Sequence, residues 1–301
     1  MKQLAPLVQR EWLQHRFGWS LLLLAPTALA LLLSSFGELQ FDAEDLNERL
    51  PTSMALATLA GTTTLYFVIM WLTSLIIVTG LARRDHGDRS IEFWLSLPTG
   101  HARSLAVPLG VHLLVAPAAA LLVGLGSGIL LSVVLVTRVS SFSTWLALPW
   151  AGLLIAGLAI VARIAVGLVL ATLWLAPLIA LTVLMTAWFR RWGLVILALV
   201  LGLGSQLLEK LLGRPLLADL LGTMFRNAGL SFKGPDSSGL VVENFSDFES
   251  LLGLVPRWAV EDSGQSLALL ASPVLVGGLV VAAACFALLV QWRQRGAGAA
   301  G

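Results

Sequence analysis

The sequence predicts an all-α integral membrane protein. Of its 301 residues 57% are hydrophobic and only 12% are charged, whereas about a quarter of a soluble domain's residues carry charge. Mean hydropathy is +0.88. Several runs with few or no ionisable groups reach the roughly 20 apolar residues that a helix needs to cross the hydrocarbon core. The alternating ten-residue segments of a transmembrane barrel are not seen, so the spans are read as helices.

The chain opens with a leader, residues 1–17, in which Leu4, Val8 and Trp12 recur at fourfold spacing, joined by Leu7, Leu13 and Phe17. Gln3, Gln9, Arg10, Gln14 and Arg16 fill the other positions. That periodicity predicts an interfacial helix with its arginines toward anionic headgroups. Residues 18–301 read as one membrane domain. The first span is placed at about residues 19–36 and the second at about 55–81. Ala28 and Ala30 imitate a signal-peptide cleavage site, but the leader is too long and the apolar run continues beyond it, so an uncleaved span is expected.

The third span covers about residues 105–134, the fourth about 162–187, the fifth about 194–212 and the sixth about 267–290. Residues 145–188 are too long for one crossing and carry Arg163 in the middle. Charge decides how to divide them. Six spans put Lys2, Arg10, Arg16, Arg83, Arg84, Arg89, Arg103, Arg190, Arg191, Arg293 and Arg295 on the inner side. Glu38, Asp42, Glu44, Asp45, Glu48, Asp236, Glu243, Asp247, Glu249, Glu261 and Asp262 then lie outside. This is the lysine and arginine bias of cytoplasmic loops, and a seventh span would destroy it. Residues 145–161 are therefore expected to form an interfacial or re-entrant helix, with Arg163 snorkelling to the outer surface. Both termini are expected in the cytoplasm.

Between the fifth and sixth spans, residues 213–265 form the largest outer segment. Leu216, Leu217, Leu220, Leu221 and Phe225 suggest one short amphipathic helix, and Phe245, Phe248, Leu251, Leu252 and Leu254 a second. The intervening "KGPDSSG", residues 233–239, is turn chemistry.

The most unusual stretch is "ARRDHGDRSIEFWLSLPTGHARS", residues 82–104, which places four arginines, three carboxylates, two histidines and a tryptophan between two apolar runs. A simple turn has no use for Ile91, Phe93, Trp94, Leu95 and Leu97. Asp88 or Ser90 can cap a short helix, residues 88–98, that Pro98 and Gly100 end. Its apolar face suits either lipid headgroups or a groove on a cytoplasmic partner.

This island, with Asp88, Arg89, Ser90, Ile91, Phe93, Trp94, Ser96, Leu97 and Pro98, resembles the loop after the second span in membrane subunits of the ABC type-2 transporter permease family. Arg10, Glu11 and Trp12 of the leader, six spans, and the closing Trp292, Arg293 and Arg295 extend the similarity. The resemblance implies a coupling helix that enters a cleft on a cytoplasmic ABC ATPase subunit. Ile91, Phe93, Trp94 and Leu97 would be its anchors and Arg84, Asp88, Arg89 and Glu92 its polar rim. Leader residues Arg10, Glu11 and Trp12 would face the same partner. It further implies a homodimer of permeases with two ATPases, in a bacterial cytoplasmic (inner) membrane, acting as an exporter.

The chain has no G-x-x-x-x-G-K-[ST] cradle, so ATP and magnesium would belong to the partner and no cofactor to this chain. No H-E-x-x-H or G-x-S-x-G motif occurs, and the histidines His15, His86, His101 and His112 are scattered. Neither catalysis nor a metal site is expected, and no nucleic-acid partner. Cys285, the one cysteine, lies inside the last span. Thr58, Thr62 and Tyr66 share a face of the second span, with Thr73 and Ser74 beyond. They either contact cargo or hydrogen-bond between helices. Gly124, Gly126 and Gly128 suggest close helix packing. Pro26, Pro108, Pro117 and Pro177 are kink candidates. His112 is placed near the inner end of its span, in reach of water. The resemblance implies that the outer helices cap the pathway mouth; otherwise they plug the interface or serve an outer or periplasmic partner. In that last case the chain would be a scaffold relaying ATPase motion rather than a transporter.

Overall fold

The computed structural model describes residues 4–36, 50–87, 100–235 and 247–298. Every regular element among them is helical. In chain order they are α1 (Leu4–Phe36), α2 (Leu50–Gly87), α3 (His101–Gly110), a π-helical turn (Val111–Val115), α4 (Ala116–Val139), α5 (Phe142–Leu146), α6 (Trp150–Phe189), a 3-10 turn (Arg190–Trp192), α7 (Gly193–Leu212), α8 (Leu216–Leu230), α9 (Asp247–Ala268) and α10 (Pro273–Gly298). Among the described residues, five helical stretches are long and apolar enough to cross a bilayer: Ala5–Ser34, Leu50–Ala82, His101–Val139, Trp150–Leu212 and Pro273–Gln294. The chain is an integral membrane protein on that ground.

The leader and the first span form a single helix of 33 residues. Gly18 is its only interior glycine at the expected junction, and one glycine costs roughly 1 kcal/mol against alanine, too little to end a helix flanked by apolar residues. Its orientation differs from expectation. Leu7, Arg10, Glu11 and Trp19 are buried against the bundle, while Val8, Trp12, Leu13 and Phe17 are exposed. Arg10, expected among headgroups, is only 6% exposed, because the i, i+3, i+4 stripe that carries it is the one that docks.

At the far end of α4 the chain turns through α5, capped by Ser141 Oγ, which accepts from the Thr144 amide at 3.1 Å. Trp145 donates to Ser132 Oγ and Trp150 to the Trp145 carbonyl, both at 3.0 Å. From Trp150 onward, α6 runs for 40 residues, about 60 Å at 1.5 Å per residue. The interfacial or re-entrant helix expected over residues 145–161 is not a separate element: α5 ends at Leu146, and residues 150–161 are the first turns of α6. No proline interrupts α6 before Pro177, and the charge that argued for a break has a partner in the fold, described below. The Trp150–Leu212 stretch is divided at Arg190, whose φ of 56° turns the chain out of α6 into α7.

α2 is the central helix, packed along α4 and against α6 and α9. Its approach to α4 is set by two glycines. A Cβ on Gly124 would lie 2.7 Å from Thr63 Cα, and one on Gly128 2.7 Å from Leu59 Cα. This is the small-residue spacing that lets membrane helices touch backbone to backbone. Gly126, expected to share that role, faces open space, since it lies on the other side of the helix.

α9 and α10 run beside α6 in succession. Val255 packs with Leu153, Leu275 with Trp174, and Leu289 with Val183 and Leu184. Pro273 has no amide hydrogen to continue α9 and is preset for a helix start. The last apolar helix therefore begins at Pro273 rather than near residue 267. Pro117 crowds the carbonyl one turn back, and the wide π-helical turn at Val111–Val115 precedes it directly.

Candidate functional site

A buried charged knot sits where α6, α9 and the end of α8 meet. Arg163 is 2% exposed. Its Nε donates to Asp262 Oδ2 at 2.5 Å, Nη1 to the Ser231 carbonyl at 2.8 Å and Nη2 to Ser266 Oγ at 2.7 Å. Asp262 Oδ1 accepts from the Gly234 amide at 2.8 Å. Both carboxylate oxygens and all three guanidinium nitrogens are engaged. The expected snorkelling of Arg163 is thus corrected: the side chain turns inward because Asp262 meets it there. An ionisable residue inside a membrane span marks a functional site by default, and here the partner is named.

Local sequence explains how the knot is built. α8 ends at Leu230 with Ser231 Oγ donating to the Asn227 carbonyl at 2.7 Å; the Ser231 carbonyl, past the last helical turn, has no intrahelical partner and accepts from Arg163. Phe232 then packs on α6 where Gly167 stands; a Cβ there would lie 2.5 Å from the Phe232 ring and 2.8 Å from the Ser231 carbonyl oxygen. Asp262 and Ser266 are one turn apart on α9, so both face Arg163.

Beside the knot lies an open cavity of about 450 Å³. Phe67, Trp71, Phe232 and Trp258 form much of its wall, and Arg163 touches it. Phe67 and Trp71 stack with centroids 5.8 Å apart, and Phe232 approaches each at 5.4 Å. The indole nitrogens of Trp71 and Trp258 are buried without a hydrogen-bond partner among the described residues. Such a wall accommodates an aliphatic or aromatic group.

The residues expected from the sequence fall in three groups. Arg84 lies on the last turns of α2; its side chain, and Asp88, Arg89, Ile91, Glu92, Phe93, Trp94 and Leu97 with the whole of helix 88–98, lie outside the described residues. In the leader, Arg10 and Glu11 are buried and Trp12 is 49% exposed. Glu11 Oε2 stands 3.2 Å from His112 Nε2. His112, expected within reach of water, is 0% exposed, because α1 covers it.

The hydroxyl stripe is hydrogen-bonded within and between helices. Thr58 donates to the Met54 carbonyl at 2.6 Å. Thr62 Oγ1 donates to the Gly124 carbonyl of α4 at 2.8 Å and to its own Thr58 carbonyl at 2.7 Å. The Tyr66 hydroxyl accepts from the Thr27 amide at 3.0 Å and pairs with Thr27 Oγ1, which donates to Ser127 Oγ at 2.8 Å. One network thus joins α1, α2 and α4.

Sequence reasoning missed Ser231, Asp262 and Ser266 as partners of Arg163, Gly234 as a partner of Asp262, and His15 beside Glu11. The available signals were the i, i+4 spacings of Asp262 with Ser266 and of Glu11 with His15. Compared with known proteins, the chain matches no family model, no curated protein and no solved structure. Its functional reading therefore rests on its own residues.

Proposed function

We propose that this chain is the membrane-spanning permease subunit of an ABC transporter, working as a homodimer with two copies of a separate cytoplasmic ATPase that binds ATP and magnesium. The observation that supports this most is the gathering of four helix ends around the two flanks of the island. Leu81 and Ala82 at the end of α2, Leu105 at the start of α3, Val183, Leu184 and Ala187 at the end of α6, and Leu289 of α10 form one apolar cluster. Arg293 is buried beside them, next to Ser104. A partner that moves residues 88–98 would therefore move α2, α3, α6 and α10 together, through a close-packed core that transmits displacement. Arg190 and Arg191 leave α6 at this same end, as the positive-inside rule requires of a cytoplasmic face. In this arrangement α7 is the fifth of six spans, and the chain lies in a bacterial inner membrane with both termini inside. The aromatic cavity beside Arg163 would receive an apolar part of the cargo.

Affinity purification of the full chain from native membranes in detergent tests the reading. The expected result is co-purification of a nucleotide-hydrolysing subunit. Trp94→Asp should abolish that association while the chain remains in the membrane at its normal level. Undiminished co-purification with Trp94→Asp would remove the coupling role from the island.

A further inference from the structure

A second polar cluster lies apart from the Arg163 knot, where the N-terminal helix meets the π-helical turn. Glu11 and His112 are each 0% exposed, and His112 Nε2 stands 3.2 Å from Glu11 Oε2. The His15 ring meets the His112 ring edge-on at 4.9 Å. Trp19 stacks on His15 at 5.5 Å and approaches His112 at 5.4 Å. One ligand atom from each of Glu11, His15 and His112 lies within 4.8 Å of the other two.

Two features distinguish this cluster from an ordinary interhelical contact. His112 is presented by the π-helical turn Val111–Val115; such turns are rare and concentrate at functional sites. Its Nδ1 is buried with no hydrogen-bond partner among the described residues. When Nε2–H donates to Glu11, Nδ1 keeps a lone pair inside an aromatic shell with nothing to accept from, an arrangement proteins normally avoid.

We propose that Glu11, His15 and His112 bind a divalent transition-metal ion of the zinc class, which clamps α1 onto the helix formed by α3 and α4. Two imidazoles and one carboxylate are a borderline donor set that suits zinc and its neighbours and disfavours calcium or magnesium, which take oxygen ligands. Three protein ligands leave one position of a tetrahedral ion open. Glu11 and His15 reach the site from one face of α1 by their i, i+4 spacing, and His112 comes from the helix it packs against. The ion thus joins two elements across 97 to 101 residues of chain. The clamp stands independently of the transport reading.

The test uses the purified, tag-free full chain in detergent, stripped with chelator and then titrated with zinc in equilibrium dialysis. One zinc per chain is expected, with affinity at least about 10-fold weaker in His112→Ala, His15→Asn and Glu11→Gln, as loss of a ligand outweighs loss of its supporting shell. The double variant His86→Ala/His101→Ala should bind as the natural chain does. Zinc should raise the melting temperature of the natural chain and leave that of Glu11→Gln unmoved, a readout that does not depend on stoichiometry. Cobalt substitution should give the visible absorption of a nitrogen- and oxygen-ligated tetrahedral ion. Equal zinc uptake by the natural chain and by all three ligand variants, or loss of uptake in the His86→Ala/His101→Ala protein, would overturn the proposal.

Discussion

Replacing Arg163 with methionine tests the central polar contact of the bundle. The substitution keeps most of the side-chain volume but removes three donated bonds and leaves Asp262 with only the Gly234 amide. Asp262 is 1% exposed, so its charge is stranded away from water. Breaking one half of a buried pair costs about 3–5 kcal/mol, whereas replacing both halves with apolar groups is often neutral or stabilising. At about 2–4 °C per kcal/mol for a chain of this order of size, Arg163→Met should melt roughly 6–20 °C below the natural protein. Arg163→Met/Asp262→Leu should recover most of that loss. The assay is the fraction surviving as a sharp size-exclusion peak after a heating series in one detergent. An Arg163→Met protein melting within about 2 °C of the natural chain, or a double variant less stable than both singles, would refute the reasoning.

Gly128→Val should destabilise the α2–α4 contact by about 1–3 kcal/mol, because the new atoms meet Leu59 Cα and Thr62 Oγ1. Gly126→Ala, facing open space, is the matched control and should leave thermal survival unchanged. Tyr66→Phe should cost about 0.6 kcal/mol, the mean found for hydrogen bonds between membrane helices, and no more than about 1.7. In a denaturant series, Tyr66→Phe combined with Thr27→Val should cost less than the sum of the two single changes. Strict additivity would show that the α1–α2–α4 network is not coupled.

How legible the site was depended on the kind of signal each residue gives. Arg163 was conspicuous as a charge inside an apolar run, yet its fate was read wrongly. The hydropathy of α6 says only that charge is costly there, and two remedies exist: reaching out to water or meeting a counter-charge. Asp262, 99 residues further on, is marked among the outer acids only by its i, i+4 spacing to Ser266, which does not point to Arg163. The leader shows the same limit. Its amphipathic period was evident, but which stripe faces protein and which faces lipid was not, since in a bilayer the apolar face can be the outward one. Val8 and Trp12 therefore face out and Glu11 faces in. The glycines of α4 were read as packing residues, but only the geometry separates Gly124 and Gly128 from Gly126.

The amino-acid order by itself determined that this is a helical membrane protein and set where most of its helices lie, because backbone groups in hydrocarbon must satisfy each other within the segment and roughly twenty apolar residues do so. The tertiary structure decided what the polar minority does. Arg163 with Asp262, Glu11 with His112, and Tyr66 with Thr27 and Ser127 are each pairings across tens of residues of chain. Such pairings depend on which helix faces meet, and hydropathy, being local, carries no information about that.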